Sequence, residues 1–76
     1  MNDEQRLMRY VGRHFLRNNG HNTMYPFPTV RKTSKSLGWS IARVVDTVEG
    51  CGEGIMLTSY FTRPESPIGE HFVETL

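Results

Sequence analysis

The sequence has very little cysteine and no long apolar run. Cys51 is the only cysteine, so the chain cannot form an internal disulfide. No stretch approaches the roughly 20 apolar residues that a membrane-spanning helix needs. The first ten residues, MNDEQRLMRY, lack the apolar core of a signal peptide. We therefore expect a cytoplasmic protein that does not enter a membrane.

The spacings typical of catalytic and metal centres are also missing. The three histidines and Cys51 are not paired at the i, i+4 or C-x-x-C spacings that typically bind zinc. No nucleophile elbow, phosphate-binding loop or closely spaced pair of catalytic carboxylates can be recognised. A chain of 76 residues has room for one thin core and little room for a pocket beside it. We expect a single domain over 1–76 that is not an enzyme and uses no metal or other cofactor.

The net charge of +1 conceals a division along the chain. Residues 1–48 carry eight basic and three acidic side chains, a net charge of +5. Residues 49–76 carry one basic and five acidic side chains, a net charge of −4. Such an asymmetry indicates an electrostatic role for one side of the molecule, most often toward nucleic acid.

The stretch from Pro28 to Glu49 predicts two short helices joined by a tight turn. At helical spacing, largely apolar side chains form one face of each segment: Val30, Thr33 and Leu37 over 28–37, and Ile41, Val44, Val45 and Val48 over 40–49. Gly38 can adopt the left-handed conformation that ends a helix, and Ser40 can cap the next one. Together these features predict a helix-turn-helix.

A first helix is predicted over 3–17, with Asn2 or Asp3 as its cap and Asn19-Gly20 at its end. Its apolar face consists of Leu7, Met8, Val11 and Phe15. Nearly opposite lies a row of four arginines, Arg6, Arg9, Arg13 and Arg17. The row fits two interpretations, a solvated face or a series of contacts to phosphates.

The remaining segments predict extended structure. Between the first two helices, Met24-Tyr25 or Phe27 is expected to form a short extended piece, and Pro28 is expected in the first turn of the second helix. The segments 55–62 and 69–75 predict two strands of a hairpin around the loop 63–67. The domain is therefore predicted to be α+β.

This order of elements resembles the winged-helix family of DNA-binding domains over nearly the whole chain. The residues that match the family pattern are Ser34 at the helix contact, Gly38 and Trp39 in the turn, and Val44 and Val48 in the second helix of the pair. Lys32 and Thr33 stand where the family usually has more apolar side chains, and the predicted wing has more acid than base. We expect Trp39 to be buried between the two helices.

The resemblance implies a small sequence-specific regulator of transcription that binds double-stranded DNA. Helix 40–49 would enter the major groove with Ser40, Arg43 and Thr47, of which Arg43 is best suited to read a guanine. The remaining contacts would go to the DNA backbone or the adjacent minor groove, from Arg31, Lys32, Lys35, Ser36 and, at the wing, Arg63.

Two further expectations concern partners. So few contacts per monomer predict modest affinity, so a homo-oligomer would be needed for tight binding, with Tyr60 or Met56 as candidate contacts. The alternative function is a winged-helix adaptor that binds a protein of transcription or replication. Asp46 and Glu49 favour that alternative, because carboxylates on or beside the recognition helix would repel phosphate.

Overall fold

The computed structural model describes residues 2–18, 25–59 and 62–75. Three helices are followed by an antiparallel pair of strands: α1 (Asp3–Asn18), α2 (Val30–Leu37), α3 (Ile41–Cys51), β1 (Ile55–Thr58) and β2 (Phe72–Thr75). A 3-10 turn, Ile68–Glu70, directly precedes β2. The predicted α+β class and order of elements are confirmed, and the arrangement is compatible with a winged helix.

α1 begins with reciprocal hydrogen bonds between Asn2 and Gln5. The Asn2 side chain accepts from the Gln5 backbone N–H at 2.8 Å, and the Gln5 side chain accepts from the Asn2 N–H at 3.1 Å. This capping box uses two donors that the helix start would otherwise leave unpaired. Leu7 and Val11 are completely buried, whereas Met8 of the predicted apolar face is 38% exposed. The predicted end at Asn19-Gly20 lies outside the described residues.

α2 begins at Val30, two residues later than predicted. Thr29 is its N-cap and accepts from the Lys32 N–H at 3.0 Å. Pro28 is therefore not in the first helical turn. It belongs to an extended segment, because its carbonyl accepts from the Val73 N–H at 2.8 Å. The start of α2 therefore coincides with both the local Thr29 cap and a strand contact from the far end of the chain.

The turn between α2 and α3 has the predicted chemistry. Gly38 has φ 70° and ψ 29°, the left-handed conformation that favours glycine. The Ser40 side chain caps α3 by accepting from the Arg43 N–H at 3.1 Å. α3 extends to Cys51, two residues beyond the predicted end. Trp39, between cap and glycine, is only 5% exposed.

The two strands are shorter than predicted. β1 and β2 pair from Ile55↔Thr75 to Thr58↔Phe72. Gly69 and Glu70, assigned to the second strand from sequence, lie instead in the 3-10 turn after Pro67, where the His71 N–H donates to the Ile68 carbonyl. Of the predicted first strand, Tyr60 and Phe61 lie outside the described residues.

A third extended segment lies on the other side of β2. Thr29 and Phe72 form an isolated antiparallel bridge, and the Val30 N–H donates to the His71 carbonyl at 2.8 Å. The extended contact before α2 is therefore at Pro28 and Thr29 and not, as predicted, at Tyr25 or Phe27, and Met24 lies outside the described part. This bridge attaches the start of α2 to the hairpin, which fixes the direction in which α2 leaves the sheet.

One apolar cluster holds these elements together. Its buried members come from all three helices, the turn and both strands: Leu7, Val11, Val30, Trp39, Val44, Val48, Ile55 and Val73. Thr33 is buried among them, and its hydroxyl donates to the Thr29 carbonyl at 2.8 Å. This hydrogen bond gives the buried Thr33 hydroxyl the partner that a polar group in the core requires. The opposite face of α2 is left to solvent.

Candidate nucleic-acid interface

The outward face of α2 carries three cations and a hydroxyl. Arg31, Lys32, Lys35 and Ser36 are all exposed, because Val30 and Thr33 turn the other face of the helix into the core. The only ion pair among the described residues joins Arg43 to Asp3, so the cations of α2 have no carboxylate partner there. Exposed, unpaired cations on one helix can bind phosphate groups.

A cleft brings these α2 residues beside the end of the hairpin. Its walls include Arg31, Lys35 and Ser36 from α2, Thr62 from the inter-strand connection, and Gly69 from the 3-10 turn. Glu70 also lines this cleft, so its charge is mixed. Arg31 packs closely over the turn, since a methyl group added at Gly69 would lie 3.2 Å from its guanidinium.

Arg63 stands in the connection between β1 and β2, next to Thr62 of that cleft. It is exposed, and a local turn holds it: the Ser66 N–H donates to the Arg63 carbonyl at 2.9 Å, and the Arg63 N–H donates to the Ser66 hydroxyl at 3.3 Å. The backbone around Arg63 is therefore ordered by residues of its own loop, while its side chain is available to solvent.

Arg43, the residue expected to read guanine, already has two partners. Its Nη2 and Nε atoms donate to the two carboxylate oxygens of Asp3 at 2.8 and 3.0 Å. Its guanidinium also lies 4.4 Å from the centre of the Trp39 ring, a cation–π contact. The two-pronged geometry that would suit N7 and O6 of guanine is thus used on the carboxylate. Sequence reasoning missed this pair.

The ion pair between Asp3 and Arg43 shifts the pKa of each group so that its charged form is favoured. The hydrogen bonds from Arg43 lower the pKa of Asp3 below its ordinary value of 3.8, and the Asp3 carboxylate raises the pKa of Arg43. Because the pKa of Asp3 is lower in the folded protein, its ionised carboxylate stabilises the fold at pH values above the ordinary pKa of 3.8. The contribution is lost as the pH falls through the depressed value.

We expect the pKa of Asp3 to rise toward 3.8 when Arg43 is replaced by alanine, because the strongest cause of its depression is removed. An NMR titration of the Asp3 carboxyl in both proteins measures this change. Arg63→Ala, which removes an arginine from the inter-strand loop, is the control and should leave the Asp3 midpoint unaltered. Identical midpoints for wild type and Arg43→Ala would contradict the ion pair.

The other two residues proposed to contact bases have hydroxyls that bond within α3. Ser40 accepts from the backbone as the N-cap, and Thr47 donates to the Arg43 carbonyl at 2.7 Å. Asp46 and Glu49 are exposed on the same helix. Arg43 is the only base of α3, so the exposed part of this helix is not a cationic surface. The cationic character lies mainly on α2 and α1.

The arginine row of α1 is brought next to α2. Arg6, Arg9, Arg13 and Arg17 line a groove of about 510 Å³, with Lys32 and Ser36 on the opposite wall. Sequence reasoning identified the row but left its role open, and it had no signal for the α2 wall. Arg6 additionally lies 5.8 Å from the centre of the Trp39 ring. The structure therefore places the basic residues of two helices on one continuous surface.

Other potential reactive groups have ordinary structural surroundings. Burial raises the pKa of the Cys51 thiol, which makes the reactive thiolate scarcer. Within residues 2–18, 25–59 and 62–75, no three potential ligands among His, Cys, Asp and Glu are grouped as a metal site would require. In the same residues no helix has the length and apolar character to cross a membrane.

The comparisons with known proteins return no relative. No family model matches the chain, and no curated protein or solved structure is significantly similar to it. The functional conclusion therefore depends on the fold and on the surface just described.

Proposed function

We propose that this chain is a winged-helix domain that binds double-stranded DNA and acts as a small cytoplasmic regulator of transcription. The observation that carries the proposal is the outward face of α2, where Arg31, Lys32 and Lys35 are exposed without a carboxylate partner among the described residues. This helix precedes a glycine turn and a capped α3, the order of elements in a helix-turn-helix.

In this proposal the two helices have different tasks. Lys32, Lys35 and Ser36, together with Arg31, hold phosphates and set the register of the complex. α3 enters the major groove from its N-terminal end, where Ser40 and Arg43 lie, with Thr47 one turn further along. Arg63 reaches the backbone or the adjacent minor groove from the loop that corresponds to a wing. Two copies on neighbouring sites supply the affinity that a single copy lacks.

A second candidate function is supported by α3 itself. Asp46 and Glu49 are exposed there, and Asp3 neutralises Arg43. An acidic helix face repels phosphate and is suited to a basic protein surface. This observation favours an adaptor that docks α3 on a protein of the transcription or replication machinery.

The chain offers an unusual probe of the α2 surface, because its only two lysines, Lys32 and Lys35, both lie on α2. Fluorescence anisotropy with random and selected duplexes at two salt concentrations first measures binding. Chemical acetylation of the lysines with and without duplex, followed by mass spectrometry, then shows whether the bound duplex covers α2. We expect the duplex to protect both lysines. Absence of binding to every duplex at low salt would leave the adaptor as the better proposal.

The Arg43–Asp3 pair predicts opposite effects of two substitutions on DNA binding. Arg43→Ala should relax sequence preference by about tenfold or more at one base pair, since a two-bond contact to guanine is lost. Asp3→Asn should tighten binding several-fold, because it removes an acid and releases the guanidinium. Duplexes varied one base pair at a time measure both changes.

If Arg43 serves only to attach α3 to α1, the same two variants give a different result. Both then lower the thermal midpoint of unfolding to a similar degree, because each breaks the same pair. Sequence preference stays as in the wild type. That outcome would remove Arg43 from the proposed set of base contacts.

A further inference from the structure

We propose that the groove between α1 and α2 is a second binding site for phosphate groups, and that its occupant is the sugar–phosphate backbone of the DNA. This inference rests on the proposed function and extends it to a helix outside the predicted interface. The residues that carry it are Arg9, Arg13 and Arg17 on α1 and Lys32 on α2.

The charged residues that line the groove are all basic. Five of its lining side chains are bases, Arg6, Arg9, Arg13, Arg17 and Lys32, and none is a carboxylate. The single ion pair among the described residues uses neither α1 arginines nor Lys32. Like charges that line one groove repel one another, and a bound anion offsets that repulsion.

The spacing of the arginines suits an extended anion. Arg6 and Arg17 are separated by eleven residues, about 16 Å along the helix at 1.5 Å per residue. Each DNA strand carries one phosphate per 3.4 Å of duplex axis, so this length corresponds to about five phosphates. A series of charges over such a distance fits a polymer better than a single small anion.

The walls of the groove also contain two buried polar atoms with which no described residue pairs. The Tyr10 hydroxyl and the His14 Nε2 are buried and have no hydrogen-bond partner among residues 2–18, 25–59 and 62–75. His14 uses its Nδ1 on the Pro26 carbonyl at 2.7 Å, so that nitrogen is the donor and Nε2 is the unpaired atom. Unpaired buried polar atoms are uncommon in folded proteins and are often found where a ligand or water binds.

The groove continues into the surface already proposed to contact DNA. Lys32 and Ser36 line both this groove and the cleft on the other side of α2. A strand of DNA whose phosphates pass over α2 can therefore continue along α1 without leaving the cationic surface. This continuity favours the DNA backbone over an acidic peptide as the occupant.

The test compares wild type with Arg9→Ala/Arg13→Ala, in which two exposed helical positions become residues that favour the helix. Anisotropy titrations of a 20-base-pair duplex across a series of salt concentrations give the slope of log K against log salt. We expect the slope to become shallower by about 1.8, since each phosphate contact contributes about 0.9. Affinity at the lowest salt should fall about tenfold or more.

Two matched variants distinguish an effect of the groove residues from a general effect of the protein's net charge. Arg9→Lys/Arg13→Lys keeps the cations and should restore most of the slope. Adding Glu53→Lys to the alanine pair returns the net charge to the wild-type value at an exposed residue outside the groove, and it should not restore the slope. Restoration by Glu53→Lys, or an unchanged slope in the alanine pair, overturns the inference.

The outcomes also distinguish this inference from the proposed function. If the wild type binds no duplex, the proposed function fails. If the wild type binds DNA and Arg9→Ala/Arg13→Ala leaves both affinity and salt slope unchanged, the function stands and the groove is not part of it. If a labelled polyglutamate peptide binds wild type, the alanine pair abolishes that binding, and DNA affinity is unchanged, the occupant is an acidic protein segment and the inference is overturned.

Discussion

Replacing Trp39 by alanine is expected to remove a large part of the stability of the domain. The ring is 5% exposed and belongs to the apolar core, with the guanidinium groups of Arg43 and Arg6 at 4.4 and 5.8 Å from its centre. Truncation of a buried tryptophan to alanine costs about 3–5 kcal/mol. A domain of this size has only about 4–11 kcal/mol in total. Urea denaturation followed by circular dichroism measures the loss.

Trp39→Phe is the matched control for that experiment. It keeps an aromatic ring in the turn and removes the indole N–H, which is buried and has no partner in the part of the chain that the structure describes. We expect it to lose less than half as much stability as Trp39→Ala. A loss below about 0.5 kcal/mol for Trp39→Ala, the range of ordinary surface substitutions, would show that Trp39 does not hold α2 against α3.

Removing both lysines of α2 is expected to have the largest effect on DNA binding among substitutions in the predicted interface. In Lys32→Ala/Lys35→Ala, two phosphate contacts are lost, so affinity should fall about 10- to 100-fold and the salt slope by about 2. All duplexes should be weakened alike, because phosphate contacts carry no sequence information. Alanine is the best helix former, so α2 itself should persist.

Lys32→Arg/Lys35→Arg is the control for charge, and it should bind every duplex nearly as tightly as the wild type. The two double variants are compared by anisotropy on one selected and one random duplex. A loss confined to the selected duplex would place the lysines among the base contacts. Equal affinity of the alanine variant and the wild type would contradict the role of α2 and favour the adaptor.

The pair of short helices could be predicted because its signals are local. The apolar spacing in each segment, Gly38 and the Ser40 cap all act within a few residues of the structure that they determine. The exposure of Arg31, Lys32 and Lys35 followed from the same periodicity, since burial of Val30 and Thr33 directs the other face outward. For this part of the site, helical periodicity was sufficient to predict which side chains are exposed.

The errors concern where α2 and β2 begin. Pro28 suits a first helical turn, yet its carbonyl is taken by Val73, so α2 begins at Val30. Gly69 was expected in a strand, but the 3-10 turn after Pro67 delays β2 to Phe72. The partner of Pro28 is distant along the chain, whereas the 3-10 turn is closed by local hydrogen bonds that strand propensity does not encode.

The sequence by itself determined the order of the elements, the faces that they bury and the division of charge along the chain, because these depend on short-range spacing and composition. Only the tertiary structure decided which groups lie next to the arginines. It placed Asp3 against Arg43, forty residues away, and brought the row on α1 opposite Lys32. Such contacts arise from helix packing, which the periodicity of one segment does not encode.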